Sequence, residues 1–265
     1  MKVYISVDME GITGVSLWDE TIKGKHDYDR YRVQMTKEAL AAVNGALKAG
    51  ATDIIVKDAH EDGKNLIHDM LPEEVKIISG WSNNPYNMIE GIDDSYDAII
   101  FVGYHSSANS NGNPLAHTLY PERVREVKIN GERADEFLIY AYAGMTVNVP
   151  VVMVSGDGSL ARHVREFNNN ITTVATSEGF SGASVHLHPN VSVDKIEDAA
   201  FTALSNLSSF KMPVMPNKFT IEVEFTEHDY AYKMSFFPGA ELITEHIVRY
   251  SARDFRDILV FILFM

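Results

Sequence analysis

Three apolar segments of the chain run directly into side chains able to hold a metal ion. Residues 3–7 lead into Asp8-Met9-Glu10-Gly11, residues 53–56 into Lys57-Asp58-Ala59-His60, and residues 98–102 into Gly103-Tyr104-His105. Two carboxylates and two imidazoles form a donor set suited to a divalent transition metal. Zinc takes His nitrogen and carboxylate oxygen at about 2.0–2.2 Å, and a carboxylate can bridge two ions where a lone imidazole cannot. Asp8, in the middle of the set, is the natural bridge. Singly, each residue has an ordinary reading: Asp8 as a capping acid, His60 as a loop histidine, His105 as a partly buried one bonded to backbone. The force lies in the same placement recurring at three segment ends. Asp58 shares one side of an extended segment with His60, so it is expected to orient that imidazole.

These side chains converge only if the segments are neighbouring strands. Strand-like and helix-like stretches alternate over the first two thirds of the chain: 3–7, a helical pattern at 31–48 ending at Gly50, then 53–56, 75–79 and 98–102. That order predicts an α/β fold with a doubly wound, mainly parallel sheet, whose ligand crevice lies outside the carboxyl ends of the strands. Asn130-Gly131 marks a hairpin between 125–129 and 132–134, followed by a helix over 136–147 and a strand over 149–155. A long helical pattern at 193–210 runs into Lys211-Met212-Pro213-Val214-Met215-Pro216, whose prolines interrupt regular structure. The boundary is placed there, dividing a metal-binding catalytic domain at 1–212 from a smaller C-terminal α+β lobe at 213–265. In that lobe, 219–225 alternates as a half-exposed strand, 243–250 is its expected partner, and a helix begins near Arg253.

Composition removes several function classes. The formal net charge of −14, with 23 Lys and Arg against 37 Asp and Glu, opposes binding to nucleic acid or to anionic lipid. There is no cysteine, so thiolate metal sites, disulfides and a Cys nucleophile are excluded. The apolar run at 258–265 falls far short of the ~20 residues that span a bilayer, and is expected in the core or at a subunit contact. The first residues lack the features of a secretory signal, which places the expectation in the cytoplasm. Gly-x-Ser-x-Gly, His-Glu-x-x-His and Gly-x-Gly-x-x-Gly are all missing. Asp8-Met9-Glu10 has some likeness to the Asp-x-Asp of magnesium phosphotransferases, but two strand-end histidines favour zinc. His186-Leu187-His188 could also face a metal, yet no strand-end carboxylate accompanies it.

Ser6-Val7-Asp8-Met9-Glu10-Gly11-Ile12, Asp58-Ala59-His60, Gly103-Tyr104-His105 and Ala116-His117-Thr118 together resemble the D-aminopeptidases of the DppA type, zinc peptidases of bacterial dipeptide-transport operons. The likeness extends through Ile78-Ser79-Gly80 and Val154-Ser155-Gly156-Asp157. It implies that Asp8, Glu10, His60, His105 and Glu136 hold two Zn2+ ions per subunit, with Asp8 bridging. It implies further that His117 is the catalytic residue and that the subunits form a homodecameric ring enclosing the active sites. This chain departs from the family pattern in having Asp135 where a glycine is expected and one extra residue near Pro121, so Asp135 stands as the alternative to Glu136. His117 follows the Ser-, Asn- and Gly-rich stretch 106–113, which suits a loop placing a side chain over a site. The resulting expectation is a zinc-dependent aminopeptidase that hydrolyses short peptides, with D-residues at their N-termini, through a metal-activated water. A two-metal phosphoesterase and a non-catalytic metal-binding scaffold are the alternatives.

Overall fold

The computed structural model describes residues 1–265. The chain begins with β1 (Lys2–Val7), α1 (Tyr28–Lys48), β2 (Asp53–Asp58), β3 (Val75–Ile78) and β4 (Ala98–Tyr104). A hairpin of β5 (Val124–Ile129) and β6 (Glu132–Arg133) precedes α2 (Glu136–Thr146), β7 (Val151–Asp157), α3 (Gly158–Phe167), β8 (Thr172–Phe180), β9 (Ala183–His186) and α4 (Pro189–Ser205). The last elements are β10 (Phe219–Phe225), α5 (His228–Met234), β11 (Glu241–Leu242), β12 (Ile247–Ala252) and α6 (Phe255–Leu263).

Seven strands form the main sheet in the order β3-β2-β1-β4-β7-β8-β9, parallel except for β9. β4 and β7 are buried along their whole length, which explains why they read as continuous apolar runs. From β1 the chain steps outward to β2 and β3, then returns to β4 on the other side of β1. The order therefore reverses between β1 and β4, where open α/β sheets bind ligands. Register makes the convergence concrete: Val7 lies beside Asp58 on β2 and beside Val102 on β4, so Asp8, His60 and His105 leave adjacent strand ends.

Two glycines let those ends come together. A Cβ on Gly11 would sit 1.7 Å from the Tyr104 carbonyl oxygen, and one on Gly103, whose φ is +71°, 2.3 Å from that of Asp8. Only a residue without a side chain tolerates this approach. The segments are then stitched by Asp8 N–H to Val102 O and Gly11 N–H to Gly103 O, both 2.8 Å.

α1 and α4 cover one face of the sheet through Met35, Ala39, Val43, Ile196 and Ala200. On the other face Tyr4, Phe101 and Tyr104 pack with Phe137 and Tyr140 of α2, and that cluster continues into Phe219, Phe255 and Phe261. These last belong to a second, antiparallel sheet, β11-β12-β10-β5-β6, and to α6. The predicted hairpin thus joins β10, so the second sheet takes strands from both sides of the 212/213 boundary. β12 pairs with β10 as expected, and half of the apolar C-terminal run, Ile258, Leu259, Phe261 and Ile262, is buried in α6. No helix is long and apolar enough to cross a membrane.

Candidate metal centre

Asp8 stands between two groups of potential ligands. Its Oδ1 lies 3.3 Å from His60 Nδ1, and its Oδ2 lies 3.4 Å from His105 Nε2. Glu10 Oε2 approaches His60 Nδ1 at 3.1 Å, while Glu136 Oε2 approaches His105 Nε2 at 3.5 Å. His117 Nε2 is 3.8 Å from Glu136 Oε1, and its ring stacks on that of His105 at 4.2 Å. Two triads result, Asp8–Glu10–His60 and His105–His117–Glu136, with all six residues buried and Asp8 reaching toward both.

Backbone carbonyls orient the three imidazoles. His60 Nε2–H donates to Thr21 O at 2.8 Å, His105 Nδ1–H to Ser106 O at 3.0 Å, and His117 Nδ1–H to Leu115 O at 2.9 Å. Each ring so fixed turns its other nitrogen, the lone-pair nitrogen of the neutral imidazole, toward the carboxylates, as metal-binding histidines do. Asp8 Oδ2, Glu10 Oε2 and His105 Nε2 are buried without a hydrogen-bond partner. Such unpartnered polar atoms are costly in an interior, and here they converge. The donor set therefore fits divalent cations, zinc before magnesium.

The D-aminopeptidase family profile, peptidase family M55, matches residues 1–264. The chain belongs to the D-aminopeptidase family. A curated D-aminopeptidase of Bacillus subtilis (strain 168) is 34% identical over 258 residues, which is 96% of this chain and 92% of that protein. The solved structure of a Zn-dependent D-aminopeptidase, DppA from Bacillus subtilis, described as a self-compartmentalizing protease, superposes with a TM-score of 0.92. It is 32% identical and covers 99% of this chain and 96% of its own.

In this family member the buried carboxylates and imidazoles of the cluster shift one another's titration. Burial, reinforced by Glu10, pushes the Asp8 carboxyl up to about 8, against the His60 hydrogen bond. Burial disfavours charge on His60 and His105, yet Glu10 and Asp8 hold the first, and Glu136 and Asp8 the second, well above the usual histidine range. Protons thus occupy positions that bound cations would take over, which links metal affinity to pH. His117 differs. Burial and then His105 lower its pKa, so its Nε2 is a neutral acceptor at neutral pH.

The adjacent pair at the start of α2 is separated by direction. Asp135 caps the helix, accepting Leu138 N–H at 2.8 Å, and its other oxygen takes His163 Nδ1–H at 2.6 Å. Glu136 points the opposite way, to the histidines, and accepts Leu119 N–H at 2.7 Å. Asp58 does not orient His60. It accepts the backbone N–H groups of Asn65 and Leu66, holding the loop whose Asn65 amide donates to the His60 carbonyl. Its side chain is drawn to these donors because backbone N–H groups in a tight loop need partners. His186 accepts Gly14 N–H and meets Ser184, and His188 caps α4, so neither belongs to a metal cluster. The 106–113 stretch is tied down by Ser106 N–H to Asp157 and by Asn113 to the Glu10 carbonyl.

A cavity of 540 Å³ opens over the cluster. The chain's two tryptophans both line it. Trp18 packs edge-on against His117, with centroids 5.3 Å apart. Trp81 donates to Glu61 O and lies over the buried Lys57 ammonium, 3.8 Å from its ring centroid, which in turn pairs with Glu90 at 3.2 Å. Neither tryptophan was singled out by the motifs. Their scarcity in an otherwise ordinary composition was the one available signal.

Proposed function

We propose that the protein is a zinc-dependent aminopeptidase that removes the N-terminal residue from short peptides, with a preference for D-residues, and that Asp8, Glu10, His60, His105 and Glu136 hold two zinc ions. The observation carrying this reading is Asp8, whose two oxygens face a histidine of each triad. The named relatives, a D-aminopeptidase and a Zn-dependent D-aminopeptidase, support it. Zinc at such a centre supplies Lewis acidity toward a carbonyl oxygen and makes water available as a nucleophile near neutral pH.

The chain's own residues bind and move protons. Glu61, a lining residue outside the metal-holding set, leaves a free carboxylate in the cavity that can draw in a peptide's ammonium terminus. His117, neutral and fixed by Leu115, presents the Nε2 lone pair as a base; once it has taken a proton from the attacking water, the same Nε2–H passes it to the leaving amine or donates to the developing oxyanion. Trp18 shields that imidazole from one side. Exposed Val214, Tyr232, Phe236 and Phe264 are apolar surface of the kind that subunit contacts cover, and they support a closed homo-oligomer, proposed as a decameric ring. The cytoplasm is the proposed compartment.

The test is to assay the purified, zinc-reconstituted protein on D- and L-alanyl p-nitroanilide and on a phosphate ester, with and without chelator. Turnover of the D-alanyl substrate, abolished by chelator and accompanied by about two metal ions per chain, is the expected result. Phosphate-ester turnover alone, or bound metal without turnover, rejects the assignment. Light scattering giving a monomer mass at micromolar concentration rejects the ring.

A further inference from the structure

The cavity is lined by five acidic residues and a single Lys or Arg, Arg123. Its surroundings on the second sheet set it apart. Arg125 pairs with Glu224, while Lys128 and Arg133 both pair with Glu126. Arg123 makes no ion pair, although every other cation of that hairpin does. Its guanidinium instead lies near two aromatic rings, 5.8 Å from the centroid of Tyr120 and 5.6 Å from that of Tyr230. Its backbone is held at both ends, N–H to Tyr120 O at 3.0 Å and carbonyl accepting Thr226 N–H at 2.8 Å. An arginine so placed, flanked by rings and lacking a carboxylate, offers a planar fork of donors that matches a carboxylate in two-point geometry.

We propose that Arg123 binds the C-terminal carboxylate of a short peptide whose amino terminus lies toward Glu61 and the metal centre, and so selects free di- and tripeptides over amidated or longer chains. This rests on the aminopeptidase reading and names its substrate class. The lining offers both ends of a zwitterion a partner: Glu61, outside the metal-holding set, for the ammonium, and Arg123, beside Glu122 at the rim, for the carboxylate. A cavity of 540 Å³ falls in the ordinary small-ligand range of about 300–1,000 Å³.

The test uses the zinc-loaded full-length protein with D-alanyl-glycine and D-alanyl-glycinamide, which differ only in the terminal charge. The wild-type protein is expected to favour the free acid in kcat/KM by about 10- to 100-fold, the span of a charge-assisted hydrogen-bond pair. Arg123→Ala should erase that preference by raising KM for the acid while leaving kcat, and both constants for the amide, nearly unchanged. Arg123→Lys, which keeps the charge and loses the fork, should retain part of it. An unchanged acid-to-amide ratio in Arg123→Ala, or equal slowing of both peptides, overturns the proposal. If the wild-type protein hydrolyses neither peptide, the aminopeptidase reading fails first, and calorimetric binding of the same peptides still decides. Tighter binding of the acid that Arg123→Ala removes supports the site, and equal binding of acid and amide overturns it.

Discussion

Asp8, Glu10, His60 and Glu136 at the floor of the cavity, and His105 just behind them, are each at most 4% exposed, and three backbone carbonyls dictate which way the imidazoles of His60, His105 and His117 face. At the rim, Glu122 and Arg123 are solvent-exposed, and what holds Arg123 is the second sheet, through Thr226 beyond β10. The floor is built from carboxyl ends of parallel strands, where charges meet out of water and interact strongly. The rim sits where water and salt screen them. The comparison separates two tasks: strong, geometrically rigid interactions for the chemistry, and weaker, adjustable ones for recognising the ends of a substrate.

Removing a histidine of the metal cluster should have the largest effect. His60→Ala or His105→Ala should lose metal and activity together, the rate falling by more than ~10⁴-fold because several kcal/mol of stabilisation go with the cation. Elemental analysis beside a peptidase assay checks it, and a variant that keeps both would move the centre elsewhere. His117→Ala sits one step down. It should keep its metal while kcat falls by ~10²–10⁴ and KM changes little, the pattern of a group acting on the proton or oxyanion. Loss of metal in this variant would instead make His117 a ligand alongside His105 and Glu136.

The rim should respond more mildly and differently. Raising ionic strength from about 0.1 to 1 M shortens the screening length from about 10 to 3 Å. The wild-type preference for D-alanyl-glycine over its amide should narrow accordingly, while kcat for the amide holds steady. A salt-independent preference would place the carboxylate's partner in the buried floor and not at Arg123.

The smallest effect is expected just behind the floor. Asp135→Ala removes the α2 cap and the partner of His163, at a cost of about 1–2 kcal/mol in stability, with metal content unchanged. Its pH dependence has a definite sign. Burial opposes charge on His163, but Asp135 raises its pKa above the ordinary 6.5, so the pair's stabilisation is complete below that value and is lost as pH rises through the raised one. The difference in Tm between wild type and variant should therefore shrink from mildly acidic to alkaline buffer. Metal loss in Asp135→Ala would reverse the roles given to Asp135 and Glu136.

The parallel α/β plan and the strand ends that carry Asp8, Glu10, His60 and His105 were legible in the sequence, because apolar runs, glycines and the acids or imidazoles that follow them are local features. It also marked the hairpin, through Asn130-Gly131, without indicating that β10 would be its partner. Tertiary structure alone decided the rest. Asp135 and Glu136 are neighbours of like charge, and only the direction of the first turn of α2 sends one to the cap and the other to His105. Asp58 shares a side with His60, but the loop at Asn65 and Leu66 claims its oxygens first. Thr21 orients His60 across 39 residues, and Arg123 reaches the cavity because Thr226 pins it from 103 residues away. Local propensity acts over a few residues, whereas these choices depend on which distant segments the packed core brings into contact.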